Sequence, residues 1–131
     1  MKKLIPILLL LAFLLGGCAA SAPQAQQGAY RQVSMQDAIA LMEEEQGYVI
    51  LDVRTEAEYA SGHIPGAILL PNETIGTGEL PQLSDKEQLI LVYCRSGNRS
   101  KQASEKLAQL GYVNVVEFGG INSWPGEIVT E

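Results

Sequence analysis

Cys94 opens the run Cys94-Arg95-Ser96-Gly97-Asn98-Arg99-Ser100, which gathers one thiol, two guanidinium groups and two hydroxyls around a glycine. A cysteine so placed can be a nucleophile, a metal ligand or a packed thiol without chemistry. Free cysteine packs well and is usually inert when buried. Nearby positive charge, however, lowers a thiol pKa and favours the nucleophilic thiolate. Arg95 and Arg99 would supply that charge. Gly97 can take the backbone through positive φ, so that successive N–H groups converge on one point and form an anion-binding nest. The segment is therefore suited to holding negative charge at the Cys94 sulfur.

The elements around this run decide how it is presented. Tyr48 to Val53 and Leu89 to Tyr93 are nearly continuous apolar runs, as expected of strands buried on both faces of a parallel sheet. The second runs straight into Cys94. From Ser100, the residues Ala103, Leu107 and Leu110 share one stripe and Gly111 stands where a helix stops, so a helix follows the loop and adds its N-terminal dipole to the site. Ser34 to Gly47 predicts another helix, with Ser34 and Asp37 at capping-box spacing. Met35 and Met42 read as its packing and Glu43, Glu44 and Glu45 as its solvated face. Thr55 caps a short helical turn, Ala67 to Leu70 and Tyr112 to Phe118 predict two further strands, and residues 71–88 read as a surface connection with one brief helical turn. Strands alternating with helices predict a doubly wound α/β domain with a parallel sheet. Ligands in such sheets sit beyond the carboxyl ends of the strands, where Asp52, Val53, Arg54 and Cys94 fall.

The other end of the chain has a different character. Residues 1–17 place Lys2 and Lys3 before an apolar run from Leu4 to Leu15, the layout of a secretory signal. That run of about 12 residues is short of the roughly 20 a membrane-spanning helix needs. Leu14-Leu15-Gly16-Gly17-Cys18 resembles a bacterial lipoprotein signal, in which the cysteine is lipidated and becomes the new N-terminus. Residues 18–29 would then be the lipidated N-terminus and a polar, uncharged tether, leaving one domain of common size at 30–131. The expectation is an exported protein, lipid-anchored to a membrane and facing the periplasm or the outside. Ala19, where an aspartate is absent, resembles an outer-membrane sorting signal.

Cys18 and Cys94 are the chain's two cysteines. With Cys18 consumed by lipid, a disulfide has no second thiol and a cysteine-based metal site has no ligands. Nine Lys and Arg against fifteen Asp and Glu give a net charge of −6; without Lys2 and Lys3, seven against fifteen give −8. A charge of that sign disfavours nucleic acid as a partner.

Spacing separates two kinds of thiolate cradle. The tyrosine-phosphatase kind has Cys-x5-Arg, with the arginine forking onto phosphate oxygens. Here Arg99 is the fifth residue after Cys94, and the sixth is Ser100. The tighter ring suits one sulfur atom better than a tetrahedral oxyanion.

The segments LDVRTEAEYASGHIPGAILLP, LILVYCRSGNRSKQASEKLAQLGY and VVEFGGINSWPG together resemble a single-domain rhodanese, and the resemblance runs from about Tyr30 to the end. It implies a central parallel sheet of about five strands with helices on both faces. It also implies a sulfurtransferase without cofactor or metal, whose partners are a small sulfur donor and a thiophilic acceptor such as a protein thiol. Cys94 would attack the sulfane sulfur of a donor such as thiosulfate, hold it as a persulfide and hand it on, a covalent route with ping-pong kinetics. The N–H groups from Arg95 to Ser100 would cradle the sulfur, Arg95 and Arg99 would draw in an anionic donor, and no general base would be required. Similar proteins place Asp52, Arg54 and Glu58 in an ion-pair network beneath the loop. His63, the chain's one histidine, reads as a hydrogen-bonded structural residue supporting it. Trp124 reads as a core or rim anchor. A sulfur-carrier or sulfide-binding module is the alternative reading, and a phosphatase or arsenate reductase a weaker one because of the loop length.

Overall fold

The computed structural model describes residues 29–76 and 78–131. Residues 1–28, with the expected export signal, Cys18 and most of the expected tether, lie outside the described residues. Five strands make one sheet: β1 (Arg31–Gln32), β2 (Val49–Asp52), β3 (Ile68–Leu69), β4 (Ile90–Cys94) and β5 (Val115–Gly120). Their order is β1-β5-β4-β2-β3, and every pairing is parallel. The helices are α1 (Met35–Glu44), α2 (Glu56–Ser61) and α3 (Asn98–Gln109).

The central strand β4 is buried along its whole length, which explains its unbroken apolar run. Successive side chains alternate between the two faces. Ile90, Val92 and Cys94 join Ala103 and Leu107 of α3 in one core, while Leu91 and Tyr93 join Ala38 of α1, Val116 and Phe118 in the other. Each core therefore has its own helix, and Cys94 lies in the α3-side core. Burying a leucine-sized side chain stabilises by roughly 1.5–3 kcal/mol, so the buried residues of β4 anchor the strand that carries Cys94.

Local signals set the helix starts. Ser34 Oγ accepts from the Asp37 N–H at 3.1 Å and caps α1. Thr55 and Glu58 complete a reciprocal capping box on α2, each side chain accepting the other's backbone N–H.

Several boundaries differ from those read in the sequence. Cys94 is the last residue of β4, and α3 begins at Asn98 instead of Ser100, because Gly97 at φ 108° turns the chain directly into helical geometry. Asn98, Arg99 and Ser100 are thus the first turn of α3, and the loop proper is Arg95 to Gly97. The edge strand β1, two residues long, was too short to carry a periodic signal. Residues 71–88 contain two short 3-10 turns, Asn72–Thr74 and Pro81–Leu83. Tyr112 precedes β5 and packs its ring in the core, with its hydroxyl donating to the Leu83 carbonyl at 2.6 Å.

Candidate active site

Register between β4 and β5 shifts at the end of the pair: Val92 faces Glu117, yet Cys94 faces Gly120. The extra residue on β5 is a bulge, and it brings Gly120 under the loop. Cys94 itself is fully buried. Its Sγ accepts from the Gly97 N–H at 3.1 Å and lies 3.5 Å from Ser100 Oγ. Burial pushes the thiol pKa up, but the Ser100 hydroxyl and the N–H groups of Ser100, Gly97 and Ser96 outweigh it and hold the thiol below its ordinary value. The thiolate is thus stabilised by loop amides and one hydroxyl.

The two arginines stand differently from the sequence expectation. Arg99 forks onto Glu58, with Nη1 donating to Oε2 at 2.9 Å and Nη2 to Oε1 at 3.2 Å. The Arg99 guanidinium holds the Glu58 carboxyl below the usual range. Both side chains are 30% exposed, so this is a rim pair. Arg95 is exposed, and its carbonyl accepts from the Asn122 N–H at 3.2 Å, tying the loop to the turn after β5. Ser96 and Asn98 are also exposed, while Gly97 and Ser100 are buried.

Asp52, Arg54, Glu58 and His63 do not form one network. Asp52, fully buried at the end of β2, accepts from Arg54 Nη2 at 2.7 Å and from Arg54 Nε at 3.0 Å. Arg54 Nη2 also donates to the Gly62 carbonyl at 2.7 Å. Arg54 Nε and Nη2 are taken up by these partners, and Glu58 pairs with Arg99 at the rim instead. His63 belongs to neither pair: its ring stacks on Tyr59 at 3.7 Å, with Nδ1 2.9 Å from the Tyr59 carbonyl and Nε2 2.6 Å from the Glu131 backbone oxygen. Its backbone pairs with Val129, so it fastens the C-terminal segment. Trp124 packs against the α1-side core and donates Nε1–H to the Glu127 carbonyl at 3.0 Å.

Sequence reasoning passed over two residues. Tyr93 donates its hydroxyl to Asp52 Oδ2 at 2.6 Å and accepts from the Ile64 N–H at 3.2 Å. Burial, and then the Asp52 carboxylate, push its pKa up, so it stays neutral. Glu117, 3% exposed, accepts from the Ser100 hydroxyl at 2.6 Å and from the Gly119 N–H at 2.8 Å. A lone acid inside the apolar run Val115-Val116-Glu117-Phe118 was the available signal. Among the described residues no three His, Cys, Asp or Glu side chains gather as metal ligands would.

Residues 34–127 match the rhodanese-like domain family. The chain is 43% identical over 79 residues to a sulfurtransferase of Allochromatium vinosum, covering 58% of this chain and 70% of that protein. It is 35% identical over 103 residues to the thiosulfate sulfurtransferase GlpE of Pseudomonas entomophila, covering 75% and 91% of the two. Among solved structures, a rhodanese-related protein from Thermoplasma volcanium superposes with a TM-score of 0.64 at 32% identity, covering 78% of this chain and 100% of that one. With a thiolate cradle at the end of the central strand of a five-stranded parallel sheet, the chain belongs to the rhodanese-like domain family.

Proposed function

We propose that the protein is a sulfurtransferase that moves a sulfane sulfur from a donor such as thiosulfate to a thiophilic acceptor through a persulfide on Cys94. The observation that carries this reading is the Gly97 N–H at 3.1 Å from Cys94 Sγ, in a loop whose amides hold the thiol pKa down. The Cys94 thiolate attacks the outer sulfur of thiosulfate; a new S–S bond forms, the sulfur–sulfonate bond breaks, and sulfite leaves with the bonding electron pair. The acceptor then attacks the outer persulfide sulfur and Cys94 departs as a thiolate. Donors aimed at the developing charge lower both barriers. The relatives named as sulfurtransferases support the reading. The Arg99 fork, engaged with Glu58 outside the loop, is not set to hold a phosphoryl group, which weighs against phosphatase chemistry.

Intact-mass spectrometry after incubation with thiosulfate tests it. The wild type should gain one sulfur atom, release it to cyanide and turn over repeatedly, and Cys94→Ser should do neither. Uptake of a single sulfur without turnover would make the protein a carrier. Export is part of the same proposal: residues 1–17 are removed and Cys18 is lipidated, placing the domain at a membrane surface outside the cytoplasm. Incorporation of labelled palmitate that is lost in Cys18→Ser is the expected result, and labelling that persists in the variant would refute it.

A further inference from the structure

The chain leaves β1 toward α1 on one face of the sheet and leaves β4 toward α3 on the other. β5 lies between those two strands, so a crevice opens beyond its carboxyl end, the place where open parallel sheets hold ligands. A cleft of about 340 Å³ occupies it, within the size range of small-molecule sites. The loop and α3 contribute Ser96, Gly97 and Lys101 to its lining, β1 and the approach to α1 contribute Gln32 and Ser34, and β5 contributes Glu117. Glu117 is 3% exposed, and its Oε1 takes both the Ser100 hydroxyl and the Gly119 N–H. Among the described residues Oε2 has no hydrogen-bond partner, and Ser104 Oγ is the one buried polar atom left both unpartnered and sealed from solvent. Oε2 therefore opens to the cleft that Glu117 lines. Lys101 is exposed and forms no ion pair among the described residues. It stands one helical turn after Gly97, and a Cβ on Gly97 would lie 3.8 Å from Glu117 Oε1. Gly97, whose N–H donates to Cys94 Sγ at 3.1 Å, thus sits between an anion open to a donor and a cation open to an acceptor.

We propose that this cleft is the subsite of the sulfur acceptor, and that it takes a small thiol bearing both an ammonium and a carboxylate, as free cysteine does. The ammonium donates to Glu117 Oε2 and completes the hydrogen bonding of a carboxylate that burial otherwise penalises. The carboxylate faces Lys101, and the thiol is turned toward the loop at Gly97. Held there, the acceptor meets the persulfide as an effectively intramolecular reactant. Its thiol gives its proton to water, and the thiolate attacks the outer persulfide sulfur. A new S–S bond forms on the acceptor, the bond from that sulfur to Cys94 Sγ breaks, and Cys94 keeps the electron pair as a thiolate. The acceptor leaves as its own persulfide.

The inference rests on the sulfurtransferase reading, and the two can fail separately. Protein loaded with sulfur from thiosulfate and freed of donor is mixed with cysteine, with cysteamine, which lacks the carboxylate, or with 3-mercaptopropionate, which lacks the ammonium. The rate at which Cys94 loses its sulfur is followed by intact mass. Glu117→Gln keeps an acceptor for Ser100 and Gly119 but removes the charge, and it should lower the cysteine-to-3-mercaptopropionate rate ratio at least about tenfold. Lys101→Ala, at an exposed position, should lower the cysteine-to-cysteamine ratio about 1.5- to 5-fold. Comparing each ratio with the wild-type ratio cancels the thiols' own reactivities and any general loss in the loop. A cysteine-to-3-mercaptopropionate ratio unchanged in folded Glu117→Gln overturns the subsite. If that variant fails to fold, S-methylcysteine decides on the wild type: it cannot accept sulfur, yet it should bind the sulfur-free protein saturably in equilibrium dialysis, and no saturable binding overturns the subsite. Binding of S-methylcysteine to a protein that takes no sulfur from thiosulfate would sink the sulfurtransferase reading and leave the subsite standing.

Discussion

Gly120 lies directly beneath Arg95: a Cβ on Gly120 would stand 2.0 Å from the Arg95 carbonyl oxygen and 2.5 Å from the Ser96 nitrogen. Backbone occupies the space a side chain would need, so Gly120→Ala must push the loop off β5. The sheet itself is not strained by the change, because Gly120 has an ordinary extended conformation at φ −136°. We expect Gly120→Ala to keep its far-UV circular dichroism and to lose at least about 100-fold in sulfur transfer, since a displacement near 1 Å defocuses donors set for one atom. Wild-type turnover in a cyanide-coupled assay would mean that the loop rides over the methyl without loss of focus.

The buried trio at the ends of β2 and β4 should govern stability instead of turnover. Asp52→Asn leaves the Arg54 guanidinium, 6% exposed, without its counter-charge. Breaking a buried pair in this way costs about 3–5 kcal/mol. Tyr93→Phe removes a donor to Asp52 and an acceptor for the Ile64 N–H, a loss of about 1–3 kcal/mol. Urea unfolding should rank Asp52→Asn below Tyr93→Phe and both below wild type. The reverse order would mean that Arg54 finds water when Asp52 is neutral.

Much of this arrangement was legible because it is local. The strand-loop-helix around Cys94 follows from an apolar run, a glycine and a periodic stripe, and spacing alone placed Arg99 short of the phosphatase position. The partners of the charged groups were not legible, because they are set by contacts far apart in the chain. Arg99 meets Glu58 across 41 residues, and Ser100 meets Glu117 across 17. Proximity in sequence suggested that the arginines stabilise the thiolate directly, whereas the fold forks Arg99 onto Glu58 and sets the Ser100 hydroxyl and the loop amides against the sulfur. Glu117 escaped notice because strand periodicity reports which face a residue takes, not what stands opposite it. The bulge that aligns Gly120 with Cys94 has no sequence period at all.

The depressed Cys94 pKa links the site to stability through pH. A group whose folded pKa lies below its unfolded value contributes stability that is fully present above the unfolded pKa and is lost as pH falls through the folded one. For a thiol the upper limit is about 8.5. The stability difference between wild type and Cys94→Ala should therefore grow as pH rises toward that value and level off above it. A difference that stays flat through this window would mean that burial cancels the loop amides.

The Glu58–Arg99 pair should set affinity for an anionic donor more than chemistry. Glu58→Gln keeps a side-chain acceptor for the Thr55 N–H in the capping box but removes the charge that holds Arg99. With Arg99 released, KM for thiosulfate should fall, while Arg99→Ala should raise it. A pair exposed to this degree is worth about 0.2–1 kcal/mol, so the expected changes are about 1.5- to 5-fold in each direction. Added salt should narrow the gap, because charges at the rim are screened. Turnover at saturating donor should be nearly unchanged in both variants, since neither guanidinium nor carboxylate lies within hydrogen-bond reach of Cys94 Sγ. A large fall in kcat for Arg99→Ala would instead mean that Arg99 leaves Glu58 and touches the departing sulfite during the reaction.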